Sequence, residues 1–112
     1  MIAGGGNPLV AKVQAGDATR LIAAHVGRTF MVHLWEDRTR GEQWVPVYDS
    51  TALALTGDDY LRIASNNAVD NGRRTFEFQP LRVGTHRLVF EKRMGWKFTA
   101  EDRRVMQVEV TA

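Results

Sequence analysis

The chain has 112 residues, no cysteine and a formal net charge of +2. This length suits one domain, and the absence of cysteine excludes a disulfide scaffold, a thiolate metal site and a cysteine nucleophile. So small a net charge argues against a dedicated nucleic-acid binder, and no apolar run approaches the ~20 residues that a membrane span needs.

The first residues differ in composition from the rest of the chain. Residues 1–17 carry four glycines and a proline, and they are predicted to form a flexible segment before a domain that spans residues 18–112. Met1–Pro8 shows neither the basic region nor the apolar region of a signal peptide, so it is not interpreted as one.

Short segments of alternating polarity follow, which is typical of strands with one buried face. The clearest are Thr19–Val26, Thr29–Trp35, Gln43–Tyr48, Arg74–Phe78 with a continuation through Pro80–Val83, His86–Lys92 and Arg104–Thr111. Alternation predicts that Phe76, Phe78, Leu88 and Phe90 face inward, and Trp44 is also predicted to lie in the core. Pro46 indicates an edge strand or a bulge, because proline cannot donate a ladder hydrogen bond.

The segment Asp49–Asn67 is ambiguous. We interpret it as one bulged strand, with a hairpin turn at Gly57-Asp58 or a short helix at Ser50–Leu55 as alternatives. With the bulged strand, about seven strands are predicted. This number and spacing favour an all-β, immunoglobulin-like β-sandwich over a small barrel.

Three polar connections recur at every second link between the predicted strands. They are Asp37–Gly41, Ser65–Arg73 and Met94–Asp102. Because alternate connections in an antiparallel sandwich emerge at the same end, we expect these three to form one binding surface.

No constellation of residues supports catalysis. The histidines lie on different predicted strands without metal-ligand spacing, the serines lack a nucleophile motif, and the acidic pairs occur in turns. We therefore predict that the protein is not an enzyme and has no metal or cofactor.

Two kinds of partner remain for the predicted binding surface. Arginines and the aromatic Trp96 near the loops would suit nucleic acid, but acidic residues are interleaved with them, as in an ordinary mixed-charge rim. Trp96 and Met94 in an otherwise polar connection favour protein recognition, with Trp96 as either a lid over the core or an exposed contact.

Three segments together resemble the chagasin family of inhibitors of papain-like cysteine proteases. They are Asp37-Arg38-Thr39-Arg40-Gly41-Glu42-Gln43-Trp44, Gly84-Thr85-His86 and Arg93-Met94-Gly95-Trp96, and the similarity runs from about Thr19 to Ala112. The resemblance implies an immunoglobulin-like fold. It also implies that the first loop lies over the catalytic cysteine of the protease while the other two loops contact the walls of the cleft.

The match to the family motifs is partial. The family's first loop reads Asn-Pro-Thr-Thr-Gly, and Thr39, Gly41 and Trp44 keep its spacing, whereas Asp37, Arg38 and Arg40 depart from it. In the last loop, Arg93 and Trp96 match the ends of the family's Arg-Pro-Trp. The middle loop lacks the glycine cluster of the family and keeps only Gly72. Loss of the proline is expected to loosen the first loop and to raise the entropy cost of binding.

The predicted partner is a papain-like cysteine protease, and neither nucleic acid nor a membrane is predicted. The predicted protease-binding residues are Asp37, Arg38, Thr39, Arg40, Gly41, Asn71, Gly72, Arg93, Met94, Gly95 and Trp96. A monomer is expected. The alternative is an immunoglobulin-like protein-binding module without inhibitory activity. Family resemblance is compatible with a periplasmic or secreted protein, but no compartment is assigned.

Overall fold

Strands dominate the residues that the computed structural model describes, which are 19–63, 71–95 and 99–112. Within these residues there are seven strands, with a single 3-10 turn at Arg38–Arg40. The strands are β1 (Thr19–His25), β2 (Phe30–Asp37), β3 (Glu42–Tyr48), β4 (Leu53–Arg62), β5 (Asn71–Pro80), β6 (Gly84–Met94) and β7 (Asp102–Thr111).

The strands form two sheets, one of four strands in the order β1-β7-β6-β3 and one of three strands in the order β2-β5-β4. β1 pairs with β7 in parallel, and the other neighbours are antiparallel. The fold is an all-β, immunoglobulin-like sandwich, as predicted. The barrel alternative is wrong, because the two sheets are separate.

The core lies between the two sheets and includes the residues that were predicted to face inward. Phe76, Phe78, Leu88 and Phe90 are fully buried, and Trp44 is 3% exposed. The Phe76 and Phe90 rings lie 5.0 Å apart between centroids, so aromatic packing joins β5 of one sheet to β6 of the other.

β4 decides which connections share an end of the sandwich. It is one strand with a register shift between Leu55 and Gly57, so the bulged-strand interpretation is confirmed and the hairpin and helix alternatives are wrong. Pro46 lies in β3, an edge strand of its sheet, as expected.

β5 ends earlier than predicted. The strand stops at Pro80 rather than continuing through Val83, although the Leu81 N–H still donates to the Ala52 carbonyl just before β4, at 2.8 Å. The predicted flexible segment 1–17 lies outside the described residues. In the part of the chain that is described, no helix has the length and apolar character to cross a membrane.

Candidate functional site

The β2–β3, β4–β5 and β6–β7 connections leave the sandwich at one end, which we call the loop end. In the three-stranded sheet, Asp37 at the end of β2 pairs with Asn71 at the start of β5. In the four-stranded sheet, Glu42 at the start of β3 pairs with Met94 at the end of β6. The register therefore confirms the predicted clustering of the three connections.

The β2–β3 connection is a short turn that is closed on both sides. The Asp37 carboxylate accepts a hydrogen bond from the Thr39 backbone N–H at 3.0 Å, as an N-cap does. At the other side, the Gly41 N–H donates to the Arg38 carbonyl at 3.0 Å. Gly41 has a φ of 74°, a left-handed conformation that glycine adopts without strain. A Cβ at Gly41 would meet no described atom within 4 Å, so the space beside it is open.

A buried carboxylate holds this turn from below. Glu36 is fully buried, and its Oε1 accepts hydrogen bonds from the Trp44 backbone N–H and from Arg74 Nη1, each at 2.8 Å. Its Oε2 accepts from Arg38 Nε at 2.8 Å. A buried charge is strongly unfavourable unless it is paired, and two guanidinium groups and a backbone N–H provide that pairing. Glu36 thereby ties β2, β3 and β5 together beneath the first loop.

A second carboxylate, Glu42, joins the two sides of the turn. It is 4% exposed, and its Oε2 accepts a hydrogen bond from Arg40 Nη1 at 2.6 Å and lies 3.7 Å from Lys92 Nζ. The Asp37 N–H donates to its Oε1 at 3.3 Å. One side chain therefore contacts the residue before the turn, the last residue of the turn and the neighbouring strand β6.

The two arginines that depart from the family motif contact other parts of the chain. The Arg38 guanidinium lies over the Tyr60 ring, 3.7 Å from its centroid, in addition to its bond with Glu36. Arg40 Nη2 lies 3.6 Å from Glu101 Oε2, which links the first connection to the third. Capping and ion pairs therefore support the turn at the position where the family has proline, and the expected higher entropy cost of binding stays a prediction.

Arg74 extends the network to β4. Its Nε and Nη2 donate to the two carboxylate oxygens of Asp58, at 2.5 and 2.9 Å. This hydrogen bonding from Arg74 lowers the pKa of Asp58, and the same bonding, with the nearby charge of Glu36, raises the pKa of Arg74 above its ordinary value. The pair is therefore charged at neutral pH.

The predicted residues of the middle loop lie in a strand. Asn71 and Gly72 are the first residues of β5, and the predicted loop residues before them, 65–70, lie outside the described part of the chain. A Cβ at Gly72 would lie 2.2 Å from the Leu61 carbonyl oxygen and 3.0 Å from the Arg62 Cα. Gly72 is thus needed for the close pairing of β4 with β5.

The third connection begins with residues of different exposure. Arg93 donates from Nε and Nη2 to Glu91 Oε1, at 3.1 and 2.5 Å. Met94 is 5% exposed, so its side chain is buried at the loop end, and its contact with a protease stays a prediction. Gly95 is exposed, and Trp96 lies outside the described residues.

Sequence reasoning missed the two carboxylates that organise this end. Glu36 continues the inward alternation of Phe30, Val32 and Leu34, and Glu42 lies two residues before the inward Trp44. A glutamate at an inward-facing position of a predicted strand was therefore the signal that could have indicated a buried, paired carboxylate. Among the described residues, no group of three or more acidic, histidine or cysteine side chains is arranged to hold a metal ion.

Comparison with solved structures finds the same fold in several chains, among them the following three proteins. The cysteine protease inhibitor EhICP2 from Entamoeba histolytica matches with a TM-score of 0.68 at 15% identity, over 83% of this chain and 96% of its own. PbICP-C, solved in complex with falcipain-2, matches with a TM-score of 0.67 at 13% identity, over 83% and 88%. Amebosin, a solution structure, matches with a TM-score of 0.63 at 23% identity, over 81% and 88%. At these identities the likeness establishes the fold alone.

Comparison of sequences identifies the family. A search of curated proteins finds no significant match. The family model described as chagasin family peptidase inhibitor I42 matches residues 23–110, which is most of the chain and nearly all of the sandwich. Members of this family are inhibitors of cysteine proteases and not enzymes. The chain therefore belongs to the chagasin family of peptidase inhibitors.

Proposed function

We propose that this inhibitor blocks the active-site cleft of a papain-like cysteine protease with its loop end, and that the turn Arg38–Arg40 occupies the centre of the contact. The observation that carries the proposal is the support of this turn by two buried carboxylates, Glu36 and Glu42. A loop that is already ordered loses little conformational entropy on binding, so more of its contact energy contributes to affinity.

The closed turn also explains how the inhibitor would resist cleavage. A scissile peptide must present its carbonyl to the catalytic cysteine in a reactive geometry. Here the Arg38 carbonyl accepts the Gly41 N–H, and the Thr39 N–H is bonded to Asp37. Opening the turn for cleavage would break these bonds. The turn would therefore fill the cleft without presenting a reactive peptide bond.

The arginines of the turn do not crowd its tip in this arrangement. Arg38 is held against Glu36 and Tyr60, and Arg40 against Glu42. Thr39, at the middle of the turn, is exposed. Thr39 and the open space beside Gly41 are the parts of the first loop that would approach the protease most closely. Asn71, at the start of β5, and Trp96, in the third connection, would contact the cleft walls.

The test is inhibition of papain and of a cathepsin-like protease, measured with a small peptide substrate over a series of inhibitor concentrations. Trp96→Ala is expected to weaken binding by ~2 kcal/mol or more, because tryptophan is among the residue types enriched at binding hot spots. Thr39→Ala is expected to weaken it less. The control is Val83→Ala, a position between β5 and β6 at the other end of the sandwich that is 60% exposed.

Reversible inhibition, with the inhibitor chain intact by mass spectrometry, would support the proposal. A folded protein that does not inhibit either protease at tens of micromolar would contradict it. In that case the loop end would serve as a binding surface without inhibitory activity.

A further inference from the structure

We propose that three side chains on the outer face of the three-stranded sheet form a second contact site for the same protease. They are Trp35, Leu61 and Arg73, and we call them the outer patch. The partner surface that fits it is an acidic side chain bordered by apolar groups, beside the active-site cleft. This inference rests on the proposed function of the loop end.

The outer patch is one row across the sheet. Trp35 of β2 pairs with Arg73 of β5, and Arg73 pairs with Leu61 of β4, so the three side chains are cross-strand neighbours. Trp35 is 56% exposed and Leu61 is 55% exposed. The next row toward the loop end contains Glu36 and Gly72, which are buried, so the outer patch lies on the opposite face of the sheet from them.

The outer patch is continuous with the loop end. Trp35 is two residues before Asp37, the cap of the first loop, and Arg73 is two residues after Asn71. Two residues along a strand span about 7 Å. A protease that covered the loop end would therefore meet the outer patch without a change in the orientation of the sandwich.

The backbone beneath Trp35 is held in place. The Trp44 indole Nε1–H donates to the Trp35 carbonyl at 2.8 Å, and Trp44 is itself part of the core. A large aromatic side chain on a fixed backbone offers contact area at a low cost in entropy. Tryptophan and arginine are also the residue types most enriched at binding hot spots.

The positive charge of Arg73 indicates that the partner surface would carry a carboxylate. Around the loop end, five other arginines are paired with carboxylates inside the chain: Arg38, Arg40, Arg74, Arg93 and Arg104. Arg73 is exposed and has no such partner among the described residues. An exposed guanidinium between two apolar side chains is suited to a carboxylate at the edge of an apolar contact.

The test compares inhibition constants for papain and the cathepsin-like protease across matched variants. Trp35→Ala is expected to raise the inhibition constant about tenfold or more. Its control is Met31→Ala, because Met31 lies on the same strand and face, is 58% exposed, and is farther from the loop end. Arg73→Glu is expected to raise the constant by a similar factor, and Arg28→Glu at the opposite end supplies the same charge change as its control.

The salt dependence of the association rate distinguishes a contact of Arg73 with the protease from a structural role of this side chain. If it meets a carboxylate, Arg73→Glu should reduce or reverse the salt dependence of the association rate, because charges at the rim of an interface act mainly on that rate. Thermal unfolding of all four variants should match that of the wild type, since these side chains are exposed.

The outcomes separate this proposal from the function of the loop end. If Trp96→Ala weakens inhibition while Trp35→Ala and Arg73→Glu do not, the outer patch is not a contact site and the proposed function stands. If the wild type inhibits neither protease, both proposals fail. If sedimentation shows a dimer that Trp35→Ala dissociates, the outer patch binds a second copy of this chain and the proposal is overturned.

Discussion

The two ends of the sandwich are closed by different kinds of interaction. At the end opposite the loop end, the connections are joined through backbone hydrogen bonds and one exposed ion pair between Asp49 and Arg82. The Gly27 N–H donates to the Pro80 carbonyl at 2.9 Å, and the Leu81 N–H donates to the Ala52 carbonyl at 2.8 Å. These hydrogen bonds pair backbone groups of three short connections. We therefore interpret that end as stabilising the fold rather than as binding a partner.

At the loop end, charged side chains make the links between elements. Glu36 joins β2, β3 and β5, and Glu42 joins the first loop to β6. Among the described residues, the first and third connections meet through Arg40 and Glu101 rather than through backbone bonds.

The difference shows how a β-sandwich can combine a rigid end with a surface for binding. Backbone bonds between connections satisfy the N–H and C=O groups and leave few of them for a partner. Side-chain support from inside the domain orders a loop while its outer surface stays available. The following predictions test whether the buried carboxylates have this role, beginning with the largest expected effect.

Glu36→Ala should be the most damaging substitution at the loop end. It removes the partner of two arginines and of a buried N–H, and breaking a buried ion pair typically costs about 3 kcal/mol or more. The free energy of unfolding by urea measures this. The control is Asp49→Ala at the opposite end, an exposed carboxylate 3.4 Å from Arg82, for which a smaller loss is expected. Equal losses in the free energy of unfolding would show that the carboxylates at the two ends stabilise the fold to the same extent.

Gly72→Ala should also destabilise the loop end, by about 2 kcal/mol or more, because the new Cβ would collide with the backbone of β4. Gly57→Ala in the same strand pair is the control. There the Cβ would lie 3.2 Å from the Glu77 Cβ and Oε1, a milder approach than the 2.2 Å to a backbone oxygen at Gly72. Urea denaturation of both variants gives the comparison. A larger loss for Gly57→Ala would contradict the assigned role of Gly72.

Substitutions at Gly41 separate backbone strain from contact with the protease. Gly41→Ala should cost about 1–2 kcal/mol of stability, because alanine disfavours the left-handed conformation, whereas asparagine tolerates it better. Both variants add a Cβ on the open side of the loop, so both should weaken inhibition of papain. If Gly41→Asn kept full inhibition, close approach at this position would be ruled out.

The smallest expected effect is on the stability of the fold at acid pH. Arg74 lowers the pKa of Asp58 from its ordinary value of 3.8, so the folded state binds the proton less readily than the unfolded state does. The pair therefore stabilises the fold above that value, and this contribution is lost as the pH falls through the lowered pKa. Asp58→Asn should reduce the dependence of the melting temperature on pH below about 4. An unchanged dependence would show that Asp58 does not contribute.

The chain sequence alone predicted the strands, much of the core and the clustering of the loops. The strands and the core residues follow from a two-residue alternation within short segments, as in Phe76 and Phe78 or Leu88 and Phe90. The clustering of the loops follows from the reversal of direction between successive antiparallel strands. Trp44 was predicted to be buried, and it is. The protease-binding roles of Thr39, Gly41 and Trp96 remain predictions.

Only the tertiary structure decided which side chains meet. Glu36 and Arg74 are 38 residues apart in the chain, and their pairing depends on the register of β2 with β5. The row of Trp35, Arg73 and Leu61 likewise depends on the bulge in β4, which sets how that strand aligns with β5. Register arises from the packing of whole sheets rather than from a local pattern, so it is not visible in any short segment of the sequence.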